Sequence, residues 1–329
     1  MPWFAGEPAH RYLVAVPMFH IFGAALTLTT PLVQGTLFVM PEFQPAAVLR
    51  VLREERIAVA WLVPAMIQAC LNHPDAAAGR YQTLRGMVYG TSPIAEATLR
   101  RAMDVFRCEF LQAYGMTEIA PLTALFPADH HRALSGQSGL LLSAGRAVDG
   151  VELRIVDFHD RDVAPGTVGE VVARGASLMA GYWKHPEPTA EAVRGGWMHT
   201  GDMGYIDPEG YVYIQDRLKD MIVSGGENVY PREIEEVLAA MPAVASVAAI
   251  GIPDSRWGET VKAIVVLRDG EHATEQEIID FCRGKLGGYK LPRSVDFLDR
   301  LPCTATGKVL KRELREPYWR GRPRQVAGA

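Results

Sequence analysis

The stretch "QDRLKDMIVSGGENVYPREIEEVL", Gln215–Leu238, is where the chain changes character. Pro231 predicts a helix start, because its fixed φ suits the first helical position and the N–H it lacks would go unused there. Glu233 falls in the first turn, and Ile234, Val237, Leu238 and Met241 repeat at helical spacing as a core stripe. Downstream, "VASVAAIGI" and "VKAIVVL" predict strands. Thr274 with Glu277 predicts a capping box before a helix bearing Ile278, Phe281 and Cys282, and "SVDFLD" predicts a last strand. Residues 221–329 therefore read as a small α+β domain, with residues 216–220 as the joint that carries it.

Upstream of the joint the pattern is different. "VELRIVD", "VGEVVARG" and "GYVYIQD" are short alternating runs between glycine-rich turns, so residues 131–215 read as a barrel-like antiparallel β subdomain. Further back, "TLFVM", "VAWLV" and "RGMVYG" predict strands. Between them "PAAVLRVLREER", "AMIQACLN" and "EATLRRAMDVF" predict helices, with Val48, Leu49 and Leu52 on one buried face. Such alternation indicates a parallel α/β sheet over residues 1–130. The fold class is α/β plus α+β.

Composition removes several function classes. The chain is 48% hydrophobic and 22% charged, enough to bury substantial cores. Its net charge of −4 offers no electrostatic case for nucleic-acid binding. The four cysteines are scattered without a CxxC pair, which argues against a zinc knuckle or disulfide framework and fits a reducing compartment. The apolar runs are broken by Pro, His, Thr or Gln and read as core, not as a transmembrane segment. The implied location is cytoplasmic, with peripheral membrane contact left open.

Common nucleotide and hydrolase motifs fail. Around Gly307–Lys308, Pro302 stands where a phosphate-binding GxxxxGK[ST] loop needs its first glycine, and Val309 stands where it needs Ser or Thr. There is no GxGxxG and no GxSxG. Adjacent His130 and His131 would diverge on a helix or strand and not converge on a metal.

What remains is an ordered series. It runs "PMFHIFG" (17–23), "YGTSP" (89–93), "QAYGMTE" (112–118), "GEVVARGASLMAGYW" (169–183), "GWMHTGDMGYID" (196–207), the stretch at 215–238, and "LPCTATGKVLKREL" (301–314). In order and spacing this series resembles the acyl-CoA synthetase, adenylation-domain and luciferase superfamily of AMP-binding enzymes, across essentially the whole chain. It is most similar to the branch of fatty-acid–CoA ligases. The resemblance implies a two-step acid–thiol ligase. A carboxylate attacks the α-phosphate of MgATP to give an acyl-adenylate and pyrophosphate. The thiol of coenzyme A then attacks the acyl carbon and expels AMP.

Residue by residue, the resemblance implies the following roles. Lys308 meets the carboxylate and α-phosphate, Thr117 bonds a phosphate oxygen, and Glu118 holds Mg²⁺ as a hard oxygen ligand. Asp202 accepts from the ribose hydroxyls, Arg217 is a second ribose or phosphate contact, and Ile214 lies beside the nucleotide. Tyr114 and Gly115 lie along the adenine, with the Gly90–Thr91–Ser92 turn giving backbone contacts. His20, Gly90 and Met116 flank the acyl channel. Lys219 is the hinge position. A turn at Gly225–Gly226 leaves a narrow path for the pantetheine arm. The partners implied are ATP, coenzyme A and an apolar carboxylic acid, with a medium or long-chain fatty acid favoured.

Plainer readings stand beside these. Lys308 lies in a basic run with Lys311, Arg312 and Arg315, as solvated faces do. Arg217 has Asp216 and Asp220 nearby to pair with, His20 is also suited to a core position, and Thr117–Glu118 and Gly225–Gly226 are also plain strand turns. Against the family pattern, no Ser/Thr/Gly-rich phosphate loop ending in Pro-Lys precedes "PMFH" in this sequence. The expectation is a chain resembling the C-terminal part of a usual ligase, with an impaired adenylation step and with sheet edge and apolar helix faces exposed. A nucleotide-binding fragment, a homo-oligomer, or a partner chain that carries the loop are the alternatives left open.

Overall fold

The computed structural model describes residues 10–304 and 307–321. Ala305 and Thr306, two positions of the motif around Lys308, lie outside the described residues, as do the first nine residues and the last eight.

Three sheets organise the chain, in keeping with the mixed α/β and α+β class. The first holds seven strands: β1 (Arg11–Val14), β2 (Thr36–Val39), β3 (Val59–Trp61), β4 (Gly86–Gly90), β5 (Glu109–Met116), β6 (Ile119–Leu125) and β7 (Arg146–Ala147). Their order is β2-β1-β3-β4-β5-β6-β7. β1 to β5 are parallel, and β6 and β7 are antiparallel additions. Helices α1 (Ile21–Leu32), α2 (Pro45–Glu54), α3 (Pro64–Asn72), α4 (Asp75–Ala78) and α5 (Glu96–Phe106) are the connections, and α6 (Pro127–Leu134) follows β6. Val48, Leu49 and Leu52 of α2 are fully buried, as the helical spacing predicts.

α1 is the exception to tidy burial. Phe22 and Leu26 face the core, while Leu28 and Leu32, and Phe19 in the turn before the helix, are 71%, 82% and 85% exposed, and the edge strand β2 leaves Val39 exposed. His130, on α6, is fully buried. Its Nε2 lies 2.9 Å from the Tyr89 hydroxyl and its Nδ1 2.9 Å from the Phe126 carbonyl, and burial lowers its pKa to about 4. It is a satisfied core histidine. Among the described residues no group of three His, Cys, Asp or Glu side chains could hold a metal. No described helix is long and apolar enough to cross a membrane.

The second sheet is antiparallel and curls into a half-barrel. It comprises β8 (Val151–Val156), β9 (Gly169–Gly175), β10 (Val193–Arg194), β11 (Trp197–Ile206) and β12 (Val212–Arg217), with α7 (Pro186–Ala192) between β9 and β10. The register of β11 against β9 shifts between His199 and Met203, so the chain bulges at Thr200–Gly201–Asp202. Bulges of this kind re-aim side chains. Here the bulge sets Asp202 directly opposite Arg217 of β12.

The third sheet has β13 (Ile222–Ser224), β14 (Glu227–Val229), β15 (Val244–Asp254), β16 (Gly258–Leu267) and β17 (Ser294–Phe297), in the order β14-β13-β16-β15 with β17 on β16. Helices α8 (Pro231–Ala239) and α9 (Glu275–Cys282) bury Ile234, Leu238, Ile278 and Cys282 against one face. The Thr274–Glu277 capping box is formed at the start of α9. The last helix, α10 (Lys311–Trp319), covers the other face through Leu314.

Candidate active site

Segments associated with all three sheets meet at one cavity of about 1070 Å³. That lies just above the roughly 300–1,000 Å³ usual for small-molecule sites. The first contribution is the β5–β6 hairpin. Met116 pairs with Ile119, which leaves Thr117 and Glu118 at the tip. Gly115 lies where the register shifts, and a Cβ there would come within 3.2 Å of the Pro121 Cα, so a glycine lets β6 pass close. Tyr114, Gly115, Met116, Thr117 and Glu118 all line the cavity.

The second contribution is the β11 bulge. The Tyr114 hydroxyl donates to Asp202 Oδ2 at 2.7 Å, and Arg217 Nε lies 3.4 Å from Asp202 Oδ1. Burial raises the Asp202 pKa above the usual carboxylate range, while Tyr114, Arg217 and Lys308 pull against that. Thr200 and Gly201 of the bulge line the cavity together with Arg217 and Lys219. Arg217 therefore pairs with Asp202, and only its backbone N–H reaches the Asp216 carboxylate, at 2.7 Å.

The third contribution comes from the small sheet. A turn is closed by Gly307 N–H to Thr304 O at 2.9 Å and by Thr304 N–H to Lys308 O at 2.8 Å. It presents Lys308 to the cavity. Burial, and then the nearby Arg217 guanidinium, lower the Lys308 pKa to about 8. The lysine is therefore not a solvated surface charge. His20 lines the same cavity and also caps α1, with Nδ1 accepting the Phe22 N–H at 3.2 Å. Burial and the charge of Lys308 lower its pKa, so the imidazole is held neutral.

Not every expected residue arrives. Thr91 lines the cavity at φ +70, a left-handed conformation that costs a non-glycine residue on the order of 1–3 kcal/mol and tends to mark functional turns. Its neighbours Gly90 and Ser92 are not part of the lining. A Cβ on Gly90 would meet the Ala113 carbonyl at 2.1 Å, so this glycine answers to the packing of β4 on β5. The Ile214 side chain packs with Ile155, Val171 and Val212, away from the cavity. Gly225 and Gly226 form the tight β13–β14 hairpin turn at φ +63 and +89, also outside the cavity. A Cβ on Gly225 would meet Trp257 Cε3 at 2.7 Å.

Sequence reasoning missed several residues that shape the site. The Tyr182 hydroxyl donates to Glu118 Oε1 at 2.8 Å, and Tyr182 is held by Thr189 Oγ1 accepting its backbone N–H at 2.9 Å. Glu170 braces the bulge by accepting the Gly201 N–H at 3.0 Å and meeting His199 Nδ1 at 2.8 Å. Both residues sit in motifs quoted above, but a motif does not say which member reaches across to another strand. The far end of the cavity is apolar, with Tyr12, Phe22, Leu26, Val33, Trp61 and Leu111. The Thr29 and Thr30 hydroxyls there bond back to the Ala25 and Leu26 carbonyls at 2.7 Å.

Comparison with known proteins agrees with this geometry. The family model of the AMP-binding enzyme matches residues 2–183, and that of the AMP-binding enzyme C-terminal domain matches residues 233–308. The chain belongs to the AMP-binding enzymes. This AMP-binding enzyme is 40% identical over 324 residues to a fatty acid–[acyl-carrier-protein] ligase, ScoC, of Streptomyces coeruleorubidus, a match covering 98% of this chain and 61% of that one. It is 41% identical to a feruloyl-CoA synthase of an Amycolatopsis species, covering 94% of this chain and 62% of that relative. Among solved structures it is similar to ATP-bound MatB of Rhodopseudomonas palustris, with a TM-score of 0.88, 31% identity, and coverage of 96% and 62%. The chain thus spans somewhat under two thirds of the length of the relatives it matches.

Proposed function

We propose that this chain binds an acyl-adenylate in the shared cavity and serves acid–thiol ligase chemistry on a carboxylic acid with an uncharged, apolar tail. The observation that carries the reading is the convergence of Lys308, Arg217 and His20 on one cavity whose far end is apolar, with Asp202 held just behind the lining by Arg217 and Tyr114.

In the first step a carboxylate oxygen attacks the α-phosphorus of ATP, and pyrophosphate leaves. Two anions meet, so fixed cations must stand where charge accumulates. Lys308 and Arg217 supply them, and Thr117 donates to a phosphate oxygen. Asp202 takes the ribose hydroxyls, with its Oδ2 already oriented by Tyr114. Tyr114, Gly115 and Thr91 border the base. Mg²⁺, when bound, neutralises phosphate charge. The half-buried Glu118 carboxylate fits it as a hard oxygen ligand, oriented by the Tyr182 hydroxyl that donates to Oε1. His20 and Met116 border the acyl group. In the second step the coenzyme A thiol attacks the acyl carbon and AMP leaves. For that step the small domain turns about Lys219, within 216–220, and presents Gly225–Gly226 to the pantetheine arm.

The apolar far end supports a medium or long-chain fatty acid, and its tilted Phe22–Trp61 ring pair, 4.8 Å between centroids, also suits an aryl acid. Residues 1–329 contain no Ser/Thr/Gly-rich phosphate loop. Removing one such donor commonly costs about 10²–10³ in rate. We therefore expect the 329-residue chain alone to be slow in ATP–pyrophosphate exchange and competent in thioester formation from preformed acyl-adenylate and coenzyme A. The assay runs both half-reactions across a chain-length series and a cinnamate series. Robust exchange by the chain alone would remove the impaired-adenylation part. Absence of both thioester formation and AMP binding would remove the ligase reading.

A further inference from the structure

We propose that Asp216 is a positioning residue for Lys308: through the ammonium group of Lys311 it holds the start of α10, and with it the Lys308 turn, against β12. This rests on the two-orientation reading above.

Lys311 is the first residue of α10. A cation there is disfavoured by the positive end of the helix dipole, so helix formation does not explain it. Its Nζ lies 2.9 Å from Glu235 Oε1 on α8 and 3.6 Å from Asp216 Oδ2 on β12. The Lys311 and Asp216 side chains are only 12% and 8% exposed. Burial opposes the charge on Lys311, and Glu235 and Asp216 outweigh it, so its pKa sits above the ordinary lysine value. Asp216 Oδ2 also accepts the Arg232 N–H at 3.0 Å, and the Arg232 guanidinium donates to the Ile214 carbonyl. One turn further along α10, Arg315 pairs with Asp220 at 2.6 Å.

The coupling to Lys308 is short. Leu310 N–H donates to Pro302 O at 2.8 Å, closing the segment that leads into α10. A Cβ on Gly307 would lie 2.9 Å from the Ala65 Cβ of α3, so the turn is seated directly on the first sheet's helical layer. A small slide of α10 would therefore withdraw the ammonium group from the cavity. The two carboxylates around Lys311 differ in one respect. Glu235 travels with the small domain, and Asp216, at the first position of the joint, is still part of β12 and precedes Lys219. Turning about Lys219 keeps Lys311–Glu235 and breaks Lys311–Asp216 and Arg232–Asp216, because Asp216 stays with β12. Asp216 thus biases the chain toward the orientation that places Lys308.

The test is Asp216→Asn in the full 329-residue chain, which removes the charge and keeps an acceptor. Hydrogen exchange by mass spectrometry should rise on the order of tenfold, as for a typical inter-site coupling, in peptides spanning 215–222 and 301–310, with β15–β16 unchanged. Residual adenylation should fall, while thioester formation from preformed acyl-adenylate should hold or rise. A role in structure alone would lower both steps and loosen the whole domain. Lys311→Met approaches the pair from the other side and should give the same local signature, with the double variant no worse than either single. Unchanged exchange at the joint and turn in both variants overturns the proposal. Exchange reads the latch without any turnover, so loss of both half-reactions in the wild type would count against the ligase reading and leave this test standing.

Discussion

Two turns of the small domain carry residues that the sequence assigns to chemistry, and they end in different places. The Thr304–Lys308 turn is docked in the cavity, where burial lowers the lysine to a pKa of about 8. The Gly225–Gly226 turn is a plain hairpin tip outside it, packed on Trp257. Both turns lie beyond the joint, and on the proposed reading the small domain presents them to the site one at a time. The difference separates residues whose surroundings are already those of a reacting group from residues whose role depends on a further motion.

The largest effect should come from breaking the docked turn. Lys308→Ala is expected to lower whatever ATP–pyrophosphate exchange the chain supports by about 10²–10³, since it removes a cation aimed at developing charge. It should leave thioester formation from preformed acyl-adenylate within about threefold by the same argument, because on the proposed reading that step uses the other orientation. Equal losses in both assays would mean that the two turns do not divide the labour. Next comes Asp202→Ala, on β11 of the half-barrel sheet. It should weaken AMP binding about a hundredfold by calorimetry, the cost of two charged hydrogen bonds to a diol. A change under threefold would remove Asp202 from the nucleotide site.

The undocked turn sharpens the comparison through stability. Gly225→Ala meets both a left-handed backbone and the Trp257 ring, and should cost about 2 kcal/mol in denaturant unfolding. Gly226→Ala meets the backbone term with open space around it, and should cost about 1 kcal/mol. If the two substitutions cost the same, ring packing is not what fixes Gly225. The smallest effect is a titration. Lys308 must be protonated to meet a phosphate, and its pKa is lowered, so its charge is present below about pH 8 and lost as pH rises. AMP affinity should fall toward tenfold per pH unit above pH 8, and Lys308→Met should abolish that slope.

Local elements were largely legible before the fold was known. α2 buries the stripe that its spacing predicts, α8 buries Ile234 and Leu238 of its stripe with Val237 and the following Met241 half-buried beside them, and the Thr274–Glu277 cap forms as its residue types require. These depend on interactions within a few residues, where periodicity and capping chemistry act. The candidate site was legible as a set of motifs and less so as a set of contacts. Arg217 could have paired with either neighbouring aspartate, yet the β11–β12 register sets it against Asp202. Tyr182 and Glu170 gave no signal of their own, because their partners, Glu118 and the Gly201 turn, lie far off in the chain. Glycine was the least transparent residue. Gly90 and Gly225 look like clearance for a ligand, and in the fold they give clearance to a carbonyl and an indole ring.

The linear order of residues by itself determined the element types, the α/β to α+β change at the joint, and membership of a family whose motifs keep their order and spacing. Those properties follow from short-range periodicity and from residue chemistry that does not depend on neighbours across the fold. Only the tertiary structure decided that Lys308 is partly buried beside Arg217 while Gly226 stands in open space, and that Lys311 lies between a carboxylate of α8 and one of β12. Those outcomes rest on which sheets meet and in which register. Pairing strands distant in sequence is a global balance of buried area and charge, and no local stretch encodes it.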